Sequence, residues 1–255
     1  MSARPARFVV AVGSGKGGVG KSTVSLHLAL ALSRRGLAVG LLDADLYGPD
    51  IPLMLNLTRQ ERAQQWDLWR RGGISHEPLE RHGVKVMSVG FLLGERQALT
   101  MPGMLLSAAL KQLVEQVAWG ALDLLLVDLP PGTADLQQHL LDVVSLDGAI
   151  VVVGPHDVTH LDAQKFIDFL RTSGVRILGG VENMSGLACP HCGEPIDLFE
   201  TVADARSIWS QDVRRLGRIP LEPALASPRG AALEHEAFEP VAARLLDALE
   251  RPAAA

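Results

Sequence analysis

The stretch Gly15-Lys16-Gly17-Gly18-Val19-Gly20-Lys21-Ser22 constrains this 255-residue chain more than any other. It follows an apolar run and precedes residues with helical spacing, the strand–loop–helix setting that the pattern G-x-x-x-x-G-K-[ST] requires. Glycines in such a loop let backbone N–H groups turn inward around phosphate oxygens, and the helix N-terminus adds its dipole. Lys21 is expected to reach the β- and γ-phosphates and Ser22 to ligate Mg²⁺. Gly15 through Thr23 are accordingly the expected ATP contacts.

The rest of the chain fits that start. Short apolar runs at 8–12, 38–42, 84–89, 122–127, 149–153 and 176–181 are rich in valine and leucine and flanked by Gly, Asp or Pro. Runs of that kind suit strands buried on both faces of a parallel sheet. Apolar residues three and four apart predict helices at 21–35, 104–119, 136–144 and 161–173, with Gly36 and Gly174 placed as helix stops. Alternation of strand and helix predicts an α/β fold, a doubly wound and mostly parallel sheet with helices on both faces. Segment 56–83, with Trp66, Trp69 and many charges, reads as a surface excursion, and 234–255 as a closing helix. With no linker or repeat, residues 1–255 read as a single domain.

Lysine is scarce, five among 24 basic residues, yet Lys16 and Lys21 share one loop. A second cation there suggests extra neutralisation of the transferring phosphoryl group. Two apolar strands end in aspartate: Leu42-Asp43-Ala44-Asp45 and Val127-Asp128. Ligands of open α/β sheets sit at the carboxyl ends of strands. Asp128 is the candidate for the Mg²⁺ shell and Asp45 for orienting the attacking water.

Composition excludes several classes. Hydrophobic residues at 47% with a net charge of −5 argue against disorder and against a protein that coats nucleic acid. No apolar run approaches the roughly 20 residues of a membrane helix, and the one after Arg4 and Arg7 stops at Gly13, short of a signal peptide. The charges of the closing helix are mixed, so it lacks the basic face of a membrane-surface helix. The expectation is a cytoplasmic protein with no nucleic-acid or membrane partner.

All the cysteine lies in Cys189-Pro190-His191-Cys192. A redox dithiol, a zinc or iron–sulfur site and two inert thiols are the alternatives. A redox pair wants a helix after its first cysteine, and Gly193 and Pro195 oppose one. Tetrahedral zinc and a [4Fe–4S] cluster both need four ligands, and one chain offers two thiolates. Two copies about a two-fold axis would supply four, which predicts a metal on a homodimer axis. Thiolates suit iron and zinc alike.

Five motifs in order, Lys16 to Ser22, Leu42-Asp-Ala-Asp-Leu-Tyr-Gly-Pro49, Asp128-Leu-Pro-Pro-Gly-Thr133, Val181-Glu-Asn-Met-Ser185 and Cys189 to Gly193, resemble the Mrp/ApbC (Nbp-type) iron–sulfur cluster carrier ATPases. These belong to the deviant Walker A class that includes MinD and ParA. The resemblance implies a homodimer holding a [4Fe–4S] cluster through Cys189 and Cys192 of both subunits, in a loop at about 184–197. It implies weak ATP hydrolysis coupled to passing the cluster to apo-proteins, with scaffold proteins as further partners. Lys16 would touch the nucleotide of the opposite subunit, Asp45 would lie in switch I and Asp128 would open switch II. Asn183 would read the adenine, with Pro220 against the base. The alternatives are a nucleotide switch with structural zinc and a ParA/MinD-like positioning ATPase. The chain departs from the family pattern at Met101-Pro102-Gly103-Met104, where an arginine is expected, and at Phe199-Glu200-Thr201-Val202-Ala203, where glycines are expected.

Overall fold

A computed structural model describes residues 4–45, 48–57, 77–92, 110–131, 137–138, 140–141, 144–189, 191–200, 202–226 and 235–251. Strands β1 (Phe8–Gly13), β2 (Val39–Asp43), β3 (Leu79–Arg81), β4 (Val84–Ser88), β5 (Leu124–Asp128), β6 (Gly148–Val153) and β7 (Ile177–Asn183) join a later strand, β10 (Arg215–Ile219), in one sheet. Its order is β10-β7-β6-β1-β5-β2-β4-β3. Every pairing is parallel except β3 with β4. The strands β1, β2, β5 and β6 are almost wholly buried, as their unbroken Val/Leu/Ile sequences require. The doubly wound α/β expectation holds.

Helix α1 (Lys21–Arg34) covers one face. Helix α2 (Ile51–Met54) is a single turn. Helix α3 (Asp157–Thr172) covers the opposite face, where Phe166 fills the space beside Gly13. Helix α4 (Pro223–Ala226) is again one turn, and α5 (Phe238–Glu250) lies on α1. His27 of α1 stacks on Phe238 at 5.1 Å between ring centroids. That layering explains why α1 is apolar nearly all round: sheet and α5 bury both its sides.

The six expected strands are present, with ends shifted by one or two residues. Three elements differ from the sequence reading. Residues 79–81 are an edge strand rather than excursion, joined to β4 by His82 (φ 51) and Gly83 (φ 75). Two successive left-handed residues make the tight primed hairpin turn, which His-Gly signals less clearly than Asn-Gly. β10 is the sheet's other edge, a strand without an apolar run because Arg215 and Arg218 give it the look of a polar loop. Arg244 of α5 donates to the Leu216 carbonyl at 2.6 Å on that strand. The closing helix begins at Phe238 rather than at 234. Of the expected helix 104–119 the described part is helical over 110–115, and 137–138 and 140–141 are helical within 136–144. Residues 58–76 and 101–104 lie outside the described residues.

Chain reversal places the site. From β1 the chain moves outward on one side through β2, then returns to insert β5 and continue to β6 on the other. The crevice at such a switch point, above the carboxyl ends of β1, β2 and β5, is where open sheets hold ligands.

Candidate functional site

Between β1 and α1 the loop turns tightly, with the Ser14 hydroxyl donating to the Lys16 carbonyl at 2.9 Å. Gly20 caps α1 in a left-handed conformation, φ 78, and the first turn has neither a side-chain cap nor an acidic residue. Its amide groups therefore face the crevice open to an anion. Two glycines are fixed by space as well. A Cβ on Gly20 would lie 2.2 Å from Asn183 Nδ2, and one on Gly15 would lie 2.0 Å from the Asp162 carbonyl oxygen of α3.

Lys21 is 6% exposed, with Nζ 2.8 Å from Asp128 Oδ2 and 3.5 Å from Asp45 Oδ2. Burial alone would lower its pKa; Asp128, Asp45 and Asp43 outweigh burial and raise it, so the ammonium stays charged. Asp128, fully buried, also accepts from Ser22 Oγ at 2.7 Å and from Ser25 Oγ at 2.6 Å. Lys21, Ser22, Asp45 and Asp128 therefore form one cluster. Lys16 is exposed.

Asp43, absent from the candidates drawn from the sequence, lies in register with Asp128 across β2 and β5 and is fully buried. Burial, and then repulsion from Asp128, push its carboxyl well above the ordinary value, although Ser88 Oγ donates to it at 2.8 Å. Its signal was the one used for Asp128, an aspartate ending an apolar strand. Ser25 was also readable, four residues after Lys21 on the same helical face.

Asn183, at the end of β7 and 4% exposed, donates from Nδ2 to the Val19 carbonyl at 2.8 Å. Its strand neighbour Glu182 points to the other face. Past Asn183 the chain is clamped to the Pro220 turn: Ser185 N donates to the Ile219 carbonyl at 2.9 Å and Leu221 N to the Gly186 carbonyl at 2.7 Å. Asn183 thus touches the phosphate loop directly, and the Pro220 turn is tied to the residues that follow Asn183.

Cys189 and Cys192 occupy a separate element, the hairpin of β8 (Leu187–Ala188) and β9 (Pro195–Ile196). Cys189 N donates to the Glu194 carbonyl at 2.8 Å, Gly193 N donates to the Cys189 carbonyl at 2.9 Å, and Gly193 has φ 77. The turn is thus a loop, not a helix. Backbone N–H groups of Cys192 and His191, together with the Cys192 thiol, hold the Cys189 thiol below its ordinary pKa. Such N–H groups favour a thiolate, the form that binds metal. Among the described residues no group of three or more His, Cys, Asp or Glu is placed to hold a metal ion, so the hairpin presents two thiols. Nor is any helix among them long and apolar enough to cross a membrane.

Comparison with known proteins identifies the family and the fold. A family model for ParA, described as NUBPL iron-transfer P-loop NTPase, matches residues 6–245. An Arabidopsis thaliana protein named iron–sulfur protein required for NADH dehydrogenase, mitochondrial, is 41% identical over 215 residues, covering 84% of this chain and 66% of its own length. An iron–sulfur cluster carrier protein of Synechocystis sp. is 40% identical over 246 residues, covering 95% of this chain and 69% of its own. The chain thus spans about two thirds of these relatives. Among solved structures, a nucleotide-binding protein of Archaeoglobus fulgidus in complex with ADP superposes with a TM-score of 0.71 at 35% identity, covering 87% of this chain and 85% of that one.

Proposed function

The chain belongs to the NUBPL iron-transfer P-loop NTPases of the ParA family, and from that premise we propose that it is an ATP-hydrolysing iron–sulfur cluster carrier. Its cargo is a [4Fe–4S] cluster held across a homodimer by Cys189 and Cys192 of both copies, and its acceptors are apo-proteins. The observation that carries this reading is the cysteine hairpin itself: an exposed turn on its own pair of strands that presents Cys189 and Cys192 together. Two thiolates per chain make half of a four-ligand site.

The residues divide the work by position. Loop amides from Gly15 to Gly20 and the open first turn of α1 receive the phosphates, and Lys21 exchanges Asp128 for phosphate oxygens. Ser22 Oγ and Asp128 Oδ2, 2.7 Å apart, are oxygen donors suited to Mg²⁺, and the Lys21 ammonium beside them marks a spot that favours positive charge. When bound, that ion neutralises phosphate charge. Asp45 orients the lytic water, and Lys16, projecting from the loop, reaches the nucleotide of the second copy. Asn183, bonded to the Val19 carbonyl at the exit of β7, is the proposed link between events at the loop and the hairpin six residues on.

The deciding experiment is iron, sulfide and zinc analysis after anaerobic reconstitution, alongside molecular mass. About four iron and four sulfide per dimer, abolished by Cys189→Ser, is the expected result. Tightly held zinc at about one per dimer, not displaced by iron, would overturn the carrier reading in favour of a structural site. Equal transfer rates for wild type and Lys21→Ala, each given ATP, would remove the coupling to hydrolysis.

A further inference from the structure

At the carboxyl end of the sheet, β4, β2 and β5 bring Ser88, Asp43 and Asp128 side by side in register. Partners in register on parallel strands share a face, so the three side chains form a row. All three are fully buried. The Asp128 end of the row meets Lys21, Ser22 and Ser25 of α1. The roles proposed above use Asp128 and leave Asp43 and Ser88 without a task.

The Ser88 hydroxyl has two commitments. Its Oγ accepts from Gly90 N at 2.9 Å and donates to Asp43 Oδ2 at 2.8 Å. With the Gly90 amide donating to it, the hydroxyl is left to donate to Asp43. The other oxygen of that carboxyl group, Oδ1, accepts from Asp45 N at 3.2 Å. Ser88, Asp43 and the Asp45 backbone therefore form one hydrogen-bonded line, from the end of β4 to the residue assigned to the lytic water. Gly90 adds a second contact with the same segment. A Cβ there would lie 2.9 Å from Pro49, so the chain after β4 packs closely on the far end of the 45–49 stretch.

The line gains its importance when phosphate enters. Asp45 Oδ2 lies 3.5 Å from Lys21 Nζ, and its Oδ1 accepts from Gly48 N at 3.3 Å. As Lys21 turns to the phosphates, its hold on Asp45 loosens together with its hold on Asp128. The link through Asp43 reaches the Asp45 backbone instead of its carboxylate, and so it persists. It fixes the main chain from which that carboxylate is aimed. A buried serine beside a carboxyl group ordinarily does no more than satisfy its neighbour. Here the neighbour is a bridge, and its other end is part of the site.

We propose that Ser88 is a positioning residue for ATP hydrolysis: by holding Asp43 it holds the Asp45 backbone where the Asp45 carboxylate can orient the lytic water. Its action runs through Asp43 and needs no contact with the nucleotide. This rests on the water-orienting role proposed for Asp45, and it brings β4 into the work of the switch point.

The test is single-turnover hydrolysis by the full chain with Mg²⁺, in excess over labelled ATP and with no cluster loaded, so that the carrier reading does not enter. Ser88→Ala should slow turnover by about 10- to 100-fold, as a misplaced catalytic group does, while ADP affinity by calorimetry stays within about twofold. Asp45→Asn should slow it at least as much. In the double variant Ser88→Ala should add nothing to Asp45→Asn, because both remove the same function. Ser88→Cys, close in size but a weak donor, should fall between wild type and Ser88→Ala, and it carries the comparison if the alanine variant does not fold. Wild-type turnover in Ser88→Ala, or additive losses in the double variant, overturns the proposal and leaves the role of Asp45 standing. Loss of ADP affinity in parallel with turnover would make Ser88 a structural residue and overturn it too. Full turnover in Asp45→Asn overturns both the role of Asp45 and the positioning built on it.

Discussion

Lys21 Nζ lies 2.8 Å from Asp128 Oδ2, an ion pair sealed beneath the phosphate loop with Ser22 and Ser25 donating to the same carboxylate. Removing one partner of a buried pair leaves the other uncompensated, at a cost of about 3–5 kcal/mol. Lys21→Met should therefore destabilise the nucleotide-free chain on the order of 3 kcal/mol, and Lys21→Met with Asp128→Asn by clearly less than the sum of the single changes. Urea denaturation of the four proteins measures the coupling; simple additivity would mean that the pair contributes nothing.

Gly18 and Gly20 have nearly equal φ, 81 and 78, but unequal surroundings: a Cβ on Gly18 meets nothing within 4 Å. Gly18→Ala should cost only the left-handed strain, about 1 kcal/mol. Gly20→Ala adds collision with Asn183 and should cost more than about 2 kcal/mol while weakening ADP binding severely. Denaturation midpoints and calorimetric titration with ADP compare the two, and equal losses would contradict the packing at Asn183.

In the Cys192→Ser chain the thiol of Cys189 keeps the N–H groups of residues 191 and 192, and the serine hydroxyl can donate in place of the Cys192 thiol. The chain carrying Cys192→Ser should consequently be alkylated by iodoacetamide with a midpoint below the ordinary 9.0, and faster at neutral pH than Cys189→Ser. A reversed order would show that the hairpin does not favour the Cys189 thiolate.

His160 titrates in the fold below its ordinary 6.5, lowered by burial, with Arg215 adding to that against Glu182 and Asp157. Below pH 6.5 the unfolded chain thus binds more protons than the native one, and stability falls as pH drops toward the depressed value. His160→Gln, whose carbonyl can still accept from Ile208 N, should flatten this part of the profile. Thermal midpoints between pH 5 and 7.5 check it; parallel profiles would exclude His160 as the source.

What could be read from the residues depended on whether local sequence decided the structure. The six buried strands and the phosphate loop were legible because an unbroken apolar run and a spaced set of glycines have few alternatives. β10 was hidden because its character comes from its position at the edge, where arginines are tolerated. The contact of Asn183 with Val19, 164 positions away, and the register of Asp43 on Asp128 are products of strand order. Topology, not spacing, brings them together. The sequence nevertheless carried the family, since its motifs coincide with the loops that the sheet's switch point assembles.

β7 turns Asn183 toward the phosphate loop and Glu182 toward the arginines on the opposite side, and the cysteine hairpin begins four residues after Asn183. Because successive residues of a strand alternate sides, losing one residue from its middle would exchange those two assignments together and pull the hairpin with them. Divergence within this strand is therefore restricted to replacements that conserve length. Insertions and deletions should be better tolerated beyond the hairpin.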